Sequence, residues 1–418
     1  MTPDVGMLPL TVLADDLTGA MDSGLQFASR GLETIVQLAL ESSTQAPVIA
    51  ISSESRDDSP TGAIARMRAI LPRLQQRRIL KKIDSTLRGN VGFELRALLT
   101  DLALRAAVIA PAFPQGGRTL VNGQLLVDGR PLAVSAFRSD PRWPMAESYI
   151  PTYLMQQAGL EVSHIALDTV AQGAEALTAA LSACRSRLVV TDATSDAHLE
   201  SIAMAIRNLG PDWMPCGSAG LAQAWASLLR ADTPAQVTFP DRGDRGVLFV
   251  VGSRNPVALT QVERLADTGA VRVTLDSRRS YEPGLEIDRL AEAICTALDA
   301  GRDALLDAIS CPLIPGGGSR VADILAQVVG RAVQRDLVGG LFLTGGEVAL
   351  AVCREISVQA LRILDAVEPG IPGGQILGGP AAGLPAVTKA GGFGSPVALV
   401  AARDWLHNRS MVSPLGTK

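Results

Sequence analysis

The sequence predicts an α/β protein built from two three-layer α/β domains with an active-site cleft between them. Three observations lead to this prediction: short apolar runs recur along the chain, helix-like segments separate them, and the chain has 418 residues. Strands that are apolar on both faces are typical of a sheet covered by helices on both sides. The chain also exceeds the size at which one hydrophobic core usually stops growing, so two domains are expected.

In the first half of the chain, five runs of aliphatic and β-branched residues predict buried strands. Polar side chains gather just after these runs, where open α/β sheets bind their ligands. The predicted strands are 8–13, 48–51, 79–82, 107–110 and 188–191, and the predicted helices are 61–76, 92–104, 171–184 and 196–208.

A break in this pattern after Leu229 predicts a domain boundary. Residues 233–246, TPAQVTFPDRGDRG, contain two prolines, two glycines and mixed charges, which suits an exposed linker. We therefore predict an amino-terminal domain over 1–232, a linker over 233–246 and a carboxyl-terminal domain over 247–418. The alternation then resumes, with predicted strands 246–251, 271–275, 305–309, 341–344 and 386–389 and predicted helices 256–268, 286–300, 320–336 and 347–357.

Composition and charge exclude several classes of protein. The net charge of −4 arises without a long block of either sign, which argues against nucleic-acid and membrane partners. No stretch reaches the ~18 to 20 apolar residues that cross a bilayer, and no signal peptide is evident. Five scattered cysteines favour the reducing cytoplasm over a disulfide framework. Three dispersed histidines disfavour a histidine-based metal site, so any metal would more readily be magnesium carried with phosphates.

The segment 81–90, KKIDSTLRGN, places cationic, acidic and hydroxyl side chains directly after a predicted strand. Lys82 and Arg88 can neutralise a carboxylate or phosphate, while Asp84 and Ser85 can hydrogen-bond sugar hydroxyls. This combination suits a small polyhydroxylated anion. A solvated loop that caps the following helix explains the same residues about equally well.

Charged residues also follow two other strands in this half. Asp15 and Asp16, in ADDLTGAMDSG, follow the first strand and could hold substrate hydroxyls or accept a proton. Asp16 could instead cap the next helix. Arg56, in ISSESRDD, could join Lys82 and Arg88 around an anion or be an ordinary surface arginine.

Three glycine-rich turns follow predicted strands in the second half: VGSRNP at 251–256, LTGGE at 343–347 and TKAGGFG at 388–394. Consecutive glycines let backbone amides approach a phosphate, and a helix beginning after the turn adds its positive end. Together the turns predict a nucleotide phosphate site, although each alone could be a tight turn. The chain has no GxxxxGK[ST] motif and no GxGxxG between strand and helix, which argues against a P-loop nucleotidase and a dinucleotide dehydrogenase.

These motifs, with APAFPQGGRT at 110–119 and VNGQLLVDGRPL at 121–132, resemble the four-carbon acid sugar kinase family in order and over nearly the whole chain. The resemblance implies an ATP-dependent kinase whose amino-terminal domain holds a tetronate and whose carboxyl-terminal domain holds ATP. The phosphoryl group would go to the terminal O4 hydroxyl. Mg²⁺ would enter with ATP, through protein ligands that the sequence does not identify. A homo-oligomer is compatible with the sequence.

By the same resemblance, individual residues acquire expected roles. Asp15 and Asp16 are expected to be catalytic substrate residues, one or the other hydrogen-bonding the attacking hydroxyl. Asp128 and Gly129 fall in a connector without an assigned role. Lys389, Gly392 and Gly394 are added to the nucleotide set because they share the turn of Gly391. The remaining substrate residues are Arg56, Lys82, Asp84, Ser85 and Arg88, and the remaining nucleotide residues are Ser253, Gly345, Gly346, Glu347 and Gly391.

The stretch 136–148, AFRSDPRWPMAES, bears on the choice of substrate. It resembles the family branch that acts on D-threonate or D-erythronate and departs from the HPLTPM-like segment of the 3-oxo-tetronate kinases. Asp140 and Ser148 are candidates for shaping this choice. A 3-oxo-tetronate 4-kinase is the alternative function, and a sugar-acid or nucleotide sensor without turnover is another. A sensor, however, has no reason to keep both the acidic and the glycine-rich residues.

Overall fold

The computed structural model describes residues 9–39, 44–74, 76–140, 142–229, 237–276, 283–309 and 318–410. The chain divides into two compact units, Met1–Thr34 with Thr44–Pro234 and Ile35–Ser43 with Ala235–Lys418. Both units alternate strands and helices, which confirms the predicted α/β class. Residues 233–236 of the predicted linker lie outside the described residues. No helix in the described ranges has both the length and the apolar composition to span a bilayer.

Up to Pro234, every strand that the sequence predicted is present. The strands are β1 (Leu10–Ala14), β2 (Thr34–Gln37), β3 (Val48–Ser52), β4 (Arg78–Lys82), β5 (Ala106–Ala110), β6 (Arg118–Val121), β7 (Gln124–Val127), β8 (Arg130–Pro131), β9 (Val162–Ile165), β10 (Leu188–Thr191) and β11 (Trp213–Gly217). The helices are α1 (Leu17–Ala28), α2 (Pro60–Ile70), α3 (Val91–Asp101), α4 (Ile150–Ala158), α5 (Leu167–Val170), α6 (Ala174–Ala183), α7 (Asp196–Leu209) and α8 (Ala219–Ser227).

The first unit is organised around seven parallel strands in the order β3-β1-β4-β11-β5-β10-β9. Every residue of β1 and β5 is buried, as expected of a sheet covered on both faces. β1 lies between β3 and β4, so the next strands along the chain are added on opposite sides of it. Such a reversal of strand order is a topological switch point, where open α/β sheets bind their ligands. A separate antiparallel sheet, β6-β7-β8, precedes a short 3₁₀ helix, Ala136–Ser139.

From Ala235 onward the strands again include every predicted one. They are β12 (Val247–Val251), β13 (Val271–Thr274), β14 (Ala304–Asp307), β15 (Gly340–Thr344), β16 (Ala360–Glu368), β17 (Ile371–Leu377) and β18 (Pro385–Lys389). The helices are α9 (Pro256–Ala266), α10 (Pro283–Asp299), α11 (Gly318–Gln334), α12 (Gly346–Glu355) and α13 (Ala398–Ser410).

The sheet of the second unit contains the order β13-β14-β12-β15-β18-β17-β16, in which β17 is antiparallel to both neighbours and the other pairs are parallel. Its core includes Phe249 and Phe342, whose ring centroids are 5.5 Å apart. β12 lies between β14 and β15, so this sheet also has a switch point. The glycine-rich turns follow β12, β15 and β18, three consecutive strands of the sheet.

Residues 35–39 come early in the chain but belong to the second unit. The amides of Leu38 and Ala39 both donate to the carbonyl of Gln359 at 3.0 Å. No strand was predicted from the sequence at these positions. The division into functional domains at 1–232 and 247–418 stays a prediction.

Candidate active site

The ends of β1 and β3 bring Asp15, Asp16 and Arg56 into one ion cluster. Arg56 donates two parallel hydrogen bonds to Asp15, from Nε and Nη2, each 2.8 Å long, and a third from Nη1 to Asp16 at 2.5 Å. The amides of Ser55 and Arg56 donate to the carbonyl of Asp15 at 3.0 and 3.3 Å, which fixes the two strand ends together. A planar guanidinium held at three points is a rigid element on which a substrate can be positioned.

The two aspartates have different environments. The side chain of Asp15 is 2% exposed and that of Asp16 is 25% exposed. Burial pushes the pKa of Asp15 upward, but Arg56 outweighs it, so the pKa is lowered. Burial also raises the pKa of Asp16, and because the charge of Asp15 adds to it, the attraction of Arg56 does not reverse the shift. Asp16 is therefore the more accessible and the more basic carboxylate.

Asp16 has a structural role as well. One of its oxygens accepts the amide of Gly19 at 2.7 Å and caps the start of α1. Asp16 therefore has both roles that were considered for it. One carboxylate oxygen caps α1, and the other accepts the hydrogen bond from Arg56.

The KKIDSTLRGN turn is organised by Asp84. This carboxylate receives two hydrogen bonds from Arg88, from Nε and Nη2, each 2.9 Å long, and it also accepts the hydroxyl and the amide of Thr86. Burial opposes the charge of Asp84, but these donors hold its pKa well below the usual range. The third donor of Arg88, Nη1, points to Asp140 at 3.3 Å. In the described part of the chain, the hydroxyl of Ser85 makes no hydrogen bond, so it is available to a ligand.

Lys82 and Lys81 have separate environments. Lys82 is buried beside the aspartate cluster, and its ammonium donates to the carbonyl of Ile83 at 3.0 Å. Lys81 is completely buried and forms an ion pair with Glu94 of α3 at 2.8 Å. Glu94 also accepts the hydroxyl of Ser55. This buried pair therefore supports the strand end that carries Arg56.

The Lys81–Glu94 pair was not predicted from the sequence. A signal for it existed, because Glu94 is the one acid within the apolar first turns of α3 and Lys81 precedes Lys82 in an apolar strand. Both residues read equally well as solvent-exposed side chains, so only the structure identifies them as partners.

In the second unit, the three glycine-rich turns converge on Ser253. A Cβ atom on Gly391 would lie 2.3 Å from the hydroxyl of Ser253, and one on Gly345 would lie 4.0 Å from its amide nitrogen. A Cβ on Gly392 would lie 3.1 Å from the side-chain nitrogen of Asn255, which caps α9. The structure thus brings together three turns that are widely separated in the sequence, the first and the last by more than a hundred residues.

The start of α12 has features of an anion site. Its N-cap residue, Gly345, has φ of 94° and makes no side-chain capping bond, so no side chain caps the first amides of the helix. The hydroxyl of Thr344, buried at the end of β15, has no hydrogen-bond partner among the described residues. Gly346 begins the helix, and Glu347 is exposed in its first turn. An uncapped helix start beside glycine turns fits a phosphate group.

Lys389 and Gly394 shape the TKAGGFG turn from within. The ammonium of Lys389 donates to the carbonyls of Ala390, Gly391 and Phe393 at 3.0, 3.0 and 3.1 Å. Burial lowers the pKa of Lys389 to about 8. Gly394 has φ of 86°, and a Cβ there would lie 2.7 Å from the side chain of Ile371. Contact of either residue with a nucleotide stays a prediction.

Of the two residues considered for substrate choice, Asp140 lies at the site, beside Arg88. Ser148 instead supports the loop before it, because its hydroxyl accepts the amide of Ala133 at 2.9 Å. Within the described ranges, no group of three or more histidine, cysteine or acidic side chains is close enough to hold a metal ion.

Comparison with known proteins gives matches over both units. The chain matches a sugar-binding amino-terminal domain over residues 10–225 and a nucleotide-binding carboxyl-terminal domain over residues 248–399. It is 33% identical to a D-threonate kinase of Salmonella typhimurium, covering 93% of this chain and 96% of that one. It is 31% identical to a D-erythronate kinase of Heliobacterium modesticaldum, covering 96% and 97%.

Two further matches also cover nearly the whole chain. A 3-oxo-tetronate kinase of Brucella melitensis is 30% identical, covering 92% of this chain and 93% of that one. A crystal structure of a Salmonella typhimurium LT2 protein superimposes with a TM-score of 0.81 at 25% identity, covering 95% and 99%. Matches of this length and identity show that the chain belongs to the four-carbon acid sugar kinase family and is a phosphotransferase with an alcohol group as acceptor.

Proposed function

We propose that this protein transfers the γ-phosphoryl group of ATP to the O4 hydroxyl of D-threonate or D-erythronate. The observation that carries the proposal is the ion cluster of Asp15, Asp16 and Arg56 at the switch point of the sugar-binding unit. The D-threonate and D-erythronate kinases among its relatives support the tetronate as substrate, in preference to a 3-oxo acid. The free cysteines 184, 216, 295 and 353 support a cytoplasmic location.

On the sugar side, Asp16 accepts the hydrogen bond of the attacking hydroxyl, because it is the more exposed and more basic aspartate. Arg56 holds that carboxylate in place and Asp15 holds Arg56. The hydroxyl of Ser85 and the carboxylate of Asp84 bind further sugar hydroxyls. Lys82 and Arg88 add positive charge beside them.

On the nucleotide side, backbone amides of Gly346, Gly391 and Gly392 bind phosphate oxygens, together with the hydroxyl of Ser253. The amide of Gly345 was expected to join them, but it donates to the carbonyl of Lys389 at 3.1 Å and so ties the end of β15 to the end of β18. When bound, ATP supplies the phosphoryl group and Mg²⁺ neutralises its charge. Glu347 contacts the nucleotide from the exposed first turn of α12, and Lys389 with Gly394 maintains the shape of the turn. Because phosphoryl transfer depends mainly on positioning and charge neutralisation, no covalent intermediate with the protein is needed.

The test is turnover of a panel of acids. Purified protein with ATP and Mg²⁺ is mixed separately with D-threonate, D-erythronate, L-threonate and 3-oxo-tetronate, and ADP release is followed. We expect the highest kcat/KM with D-threonate or D-erythronate. A preference for 3-oxo-tetronate would favour the alternative kinase, and tight binding of these acids without ADP release would favour a sensor.

The substitution Gly391→Ala tests the nucleotide half of the proposal. The new methyl group would lie 2.3 Å from the hydroxyl of Ser253 and must displace it. The displaced hydroxyl can no longer hydrogen-bond a phosphate oxygen, and loss of one such hydrogen bond costs about 1–1.5 kcal/mol. We therefore expect KM for ATP to rise about tenfold while KM for the tetronate changes little. Gly284→Ala, at an exposed position where a Cβ meets nothing within 4 Å, is the matched control. Unchanged KM for ATP in folded Gly391→Ala would contradict the placement of the phosphates.

The lowered pKa of Lys389 predicts a pH dependence of ATP binding. Below about pH 8 the ammonium is charged, and above it the charge is lost because burial favours the neutral amine. We therefore expect KM for ATP to rise as pH increases through about 8. Lys389→Met should show a raised KM without this rise. If the rise persists in the variant, the titrating group is a different residue.

A further inference from the structure

The arginines predicted to bind the sugar acid are already paired with carboxylates of the protein. Arg56 directs Nε, Nη1 and Nη2 to Asp15 and Asp16. Arg88 directs the same three nitrogens to Asp84 and Asp140. A substrate carboxylate could bind either guanidinium only by competing with the aspartates that already accept its hydrogen bonds. Neither arginine therefore offers the substrate carboxylate a free two-pronged edge. Of the cations assigned to the sugar acid, Lys82 forms no ion pair within the described residues, but its ammonium is a single point of charge that donates to the carbonyl of Ile83 at 3.0 Å.

A third arginine lies beside this group. Arg118 begins β6, in the APAFPQGGRT stretch, to which no role has been given. Its guanidinium carbon lies 5.8 Å from the ring centroid of Phe137, and that of Arg88 lies 5.3 Å from the same centroid. Asp140, which accepts from Arg88, follows Phe137 by three residues. Arg118 and Arg88 are thus neighbours on one aromatic ring.

Arg118 differs from Arg56 and Arg88 because some of its guanidinium N–H groups have no hydrogen-bond acceptor among the described residues. Within the described residues, its guanidinium makes one hydrogen bond, from Nη1 to the carbonyl of Gly116, and it forms no ion pair. Its Nε is buried and has no partner there. A buried donor of a charged group without a partner is unfavourable, so the arrangement is complete only when an acceptor binds. Nε and Nη2 together form the two-pronged edge that a carboxylate matches.

We propose that Arg118 is a specificity-determining residue that binds the carboxylate of the four-carbon acid through Nε and Nη2. The inference rests on the proposed function and gives the substrate an orientation. Its O4 end lies at Asp16, and its carboxylate lies at the Arg118 side of Phe137. Selection of an acid over a neutral sugar then comes from Arg118, while Arg88 maintains the turn through Asp84.

Steady-state kinetics of Arg118→Met test this assignment. Loss of a two-pronged, charge-assisted contact should raise KM for D-threonate or D-erythronate by about 10- to 100-fold, with KM for ATP within about twofold of the unsubstituted protein. Arg118→Lys keeps the positive charge but cannot donate two parallel hydrogen bonds to a carboxylate, so an intermediate KM for the acid is expected. Arg130→Met removes an exposed arginine from β8 of the same small sheet and serves as the matched control, with both KM values unchanged.

The possible outcomes separate this proposal from the proposed function. If the unsubstituted protein phosphorylates a four-carbon acid and Arg118→Met has the same KM for it, Arg118 does not bind the carboxylate. Equal increases in both KM values would show a general structural effect and would also overturn the assignment. Should Arg118→Met fail to fold, an Arg118→Lys variant with unsubstituted KM for the acid overturns it. No turnover of any four-carbon acid by the unsubstituted protein would instead refute the kinase proposal.

Discussion

Asp16→Asn is expected to lower kcat by about 10²- to 10⁴-fold, the usual contribution of a general base. Asparagine has nearly the same shape as aspartate, and its side-chain oxygen can still accept the amide of Gly19, as asparagine caps helices as well as aspartate does. The cap is therefore kept, but the side-chain NH₂ cannot accept the hydrogen bond from Nη1 of Arg56, so the melting temperature should fall slightly while Asp15 still holds Arg56. The amide, however, cannot accept the proton of the attacking hydroxyl. ADP release under saturating ATP and tetronate measures the change in kcat.

Two further variants separate the chemical role of Asp16 from its structural role. Asp16→Ala removes the cap as well, so it should lower kcat similarly and also destabilise the protein by about 1 kcal/mol. Ser59→Ala removes the cap of α2, where the serine hydroxyl accepts the amide of Gly62 at 3.2 Å, and is expected to affect stability without affecting kcat. If Asp16→Asn keeps the kcat of the unsubstituted protein, Asp16 is not the base.

Much of the fold follows from the sequence because both sheets contain strands that are buried on both faces. Such strands are continuous apolar runs, and the run 188–191 coincides with β10. Two strands that escaped prediction, β16 and β17, lack this signal. β17, IPGGQIL, contains a proline and two glycines, and β16 is only partly buried. Their pairing depends on tertiary contacts, which local propensity does not encode.

The location of the candidate site was more predictable than the ion pairs between its arginines and aspartates. Parallel strands end at one edge of a sheet, so polar residues after β1, β3 and β4 had to lie near one another. Which carboxylate each arginine pairs with depends on how the side chains are oriented, and differences of a few ångströms decide it. Arg88 pairs with Asp84 four residues earlier, although it could equally have faced a ligand. Sequence spacing does not distinguish these two arrangements.

Glu94→Leu is expected to destabilise the first unit by about 3–5 kcal/mol, the usual cost of removing one partner from a buried ion pair. Lys81 is 0% exposed and Glu94 is 1% exposed, so water cannot replace the lost carboxylate. The hydroxyl of Ser55 would also lose its acceptor. Urea denaturation measures the free energy of unfolding. Asp288→Leu, which breaks an exposed pair with Arg331, is the matched control and should cost less than about 1 kcal/mol.

The double variant Lys81→Met/Glu94→Leu distinguishes stability from positioning of the active site. Replacing both charges by apolar side chains removes the unpaired ammonium, so most of the lost stability should return. Activity should remain low, because Ser55 still lacks its acceptor and the charge of Lys81 no longer helps to keep Asp15 ionised. Recovery of both stability and kcat/KM in the double variant would mean that the pair serves the core alone. If Glu94→Leu were no more costly than Asp288→Leu, Glu94 would not be the partner of a charged, buried Lys81.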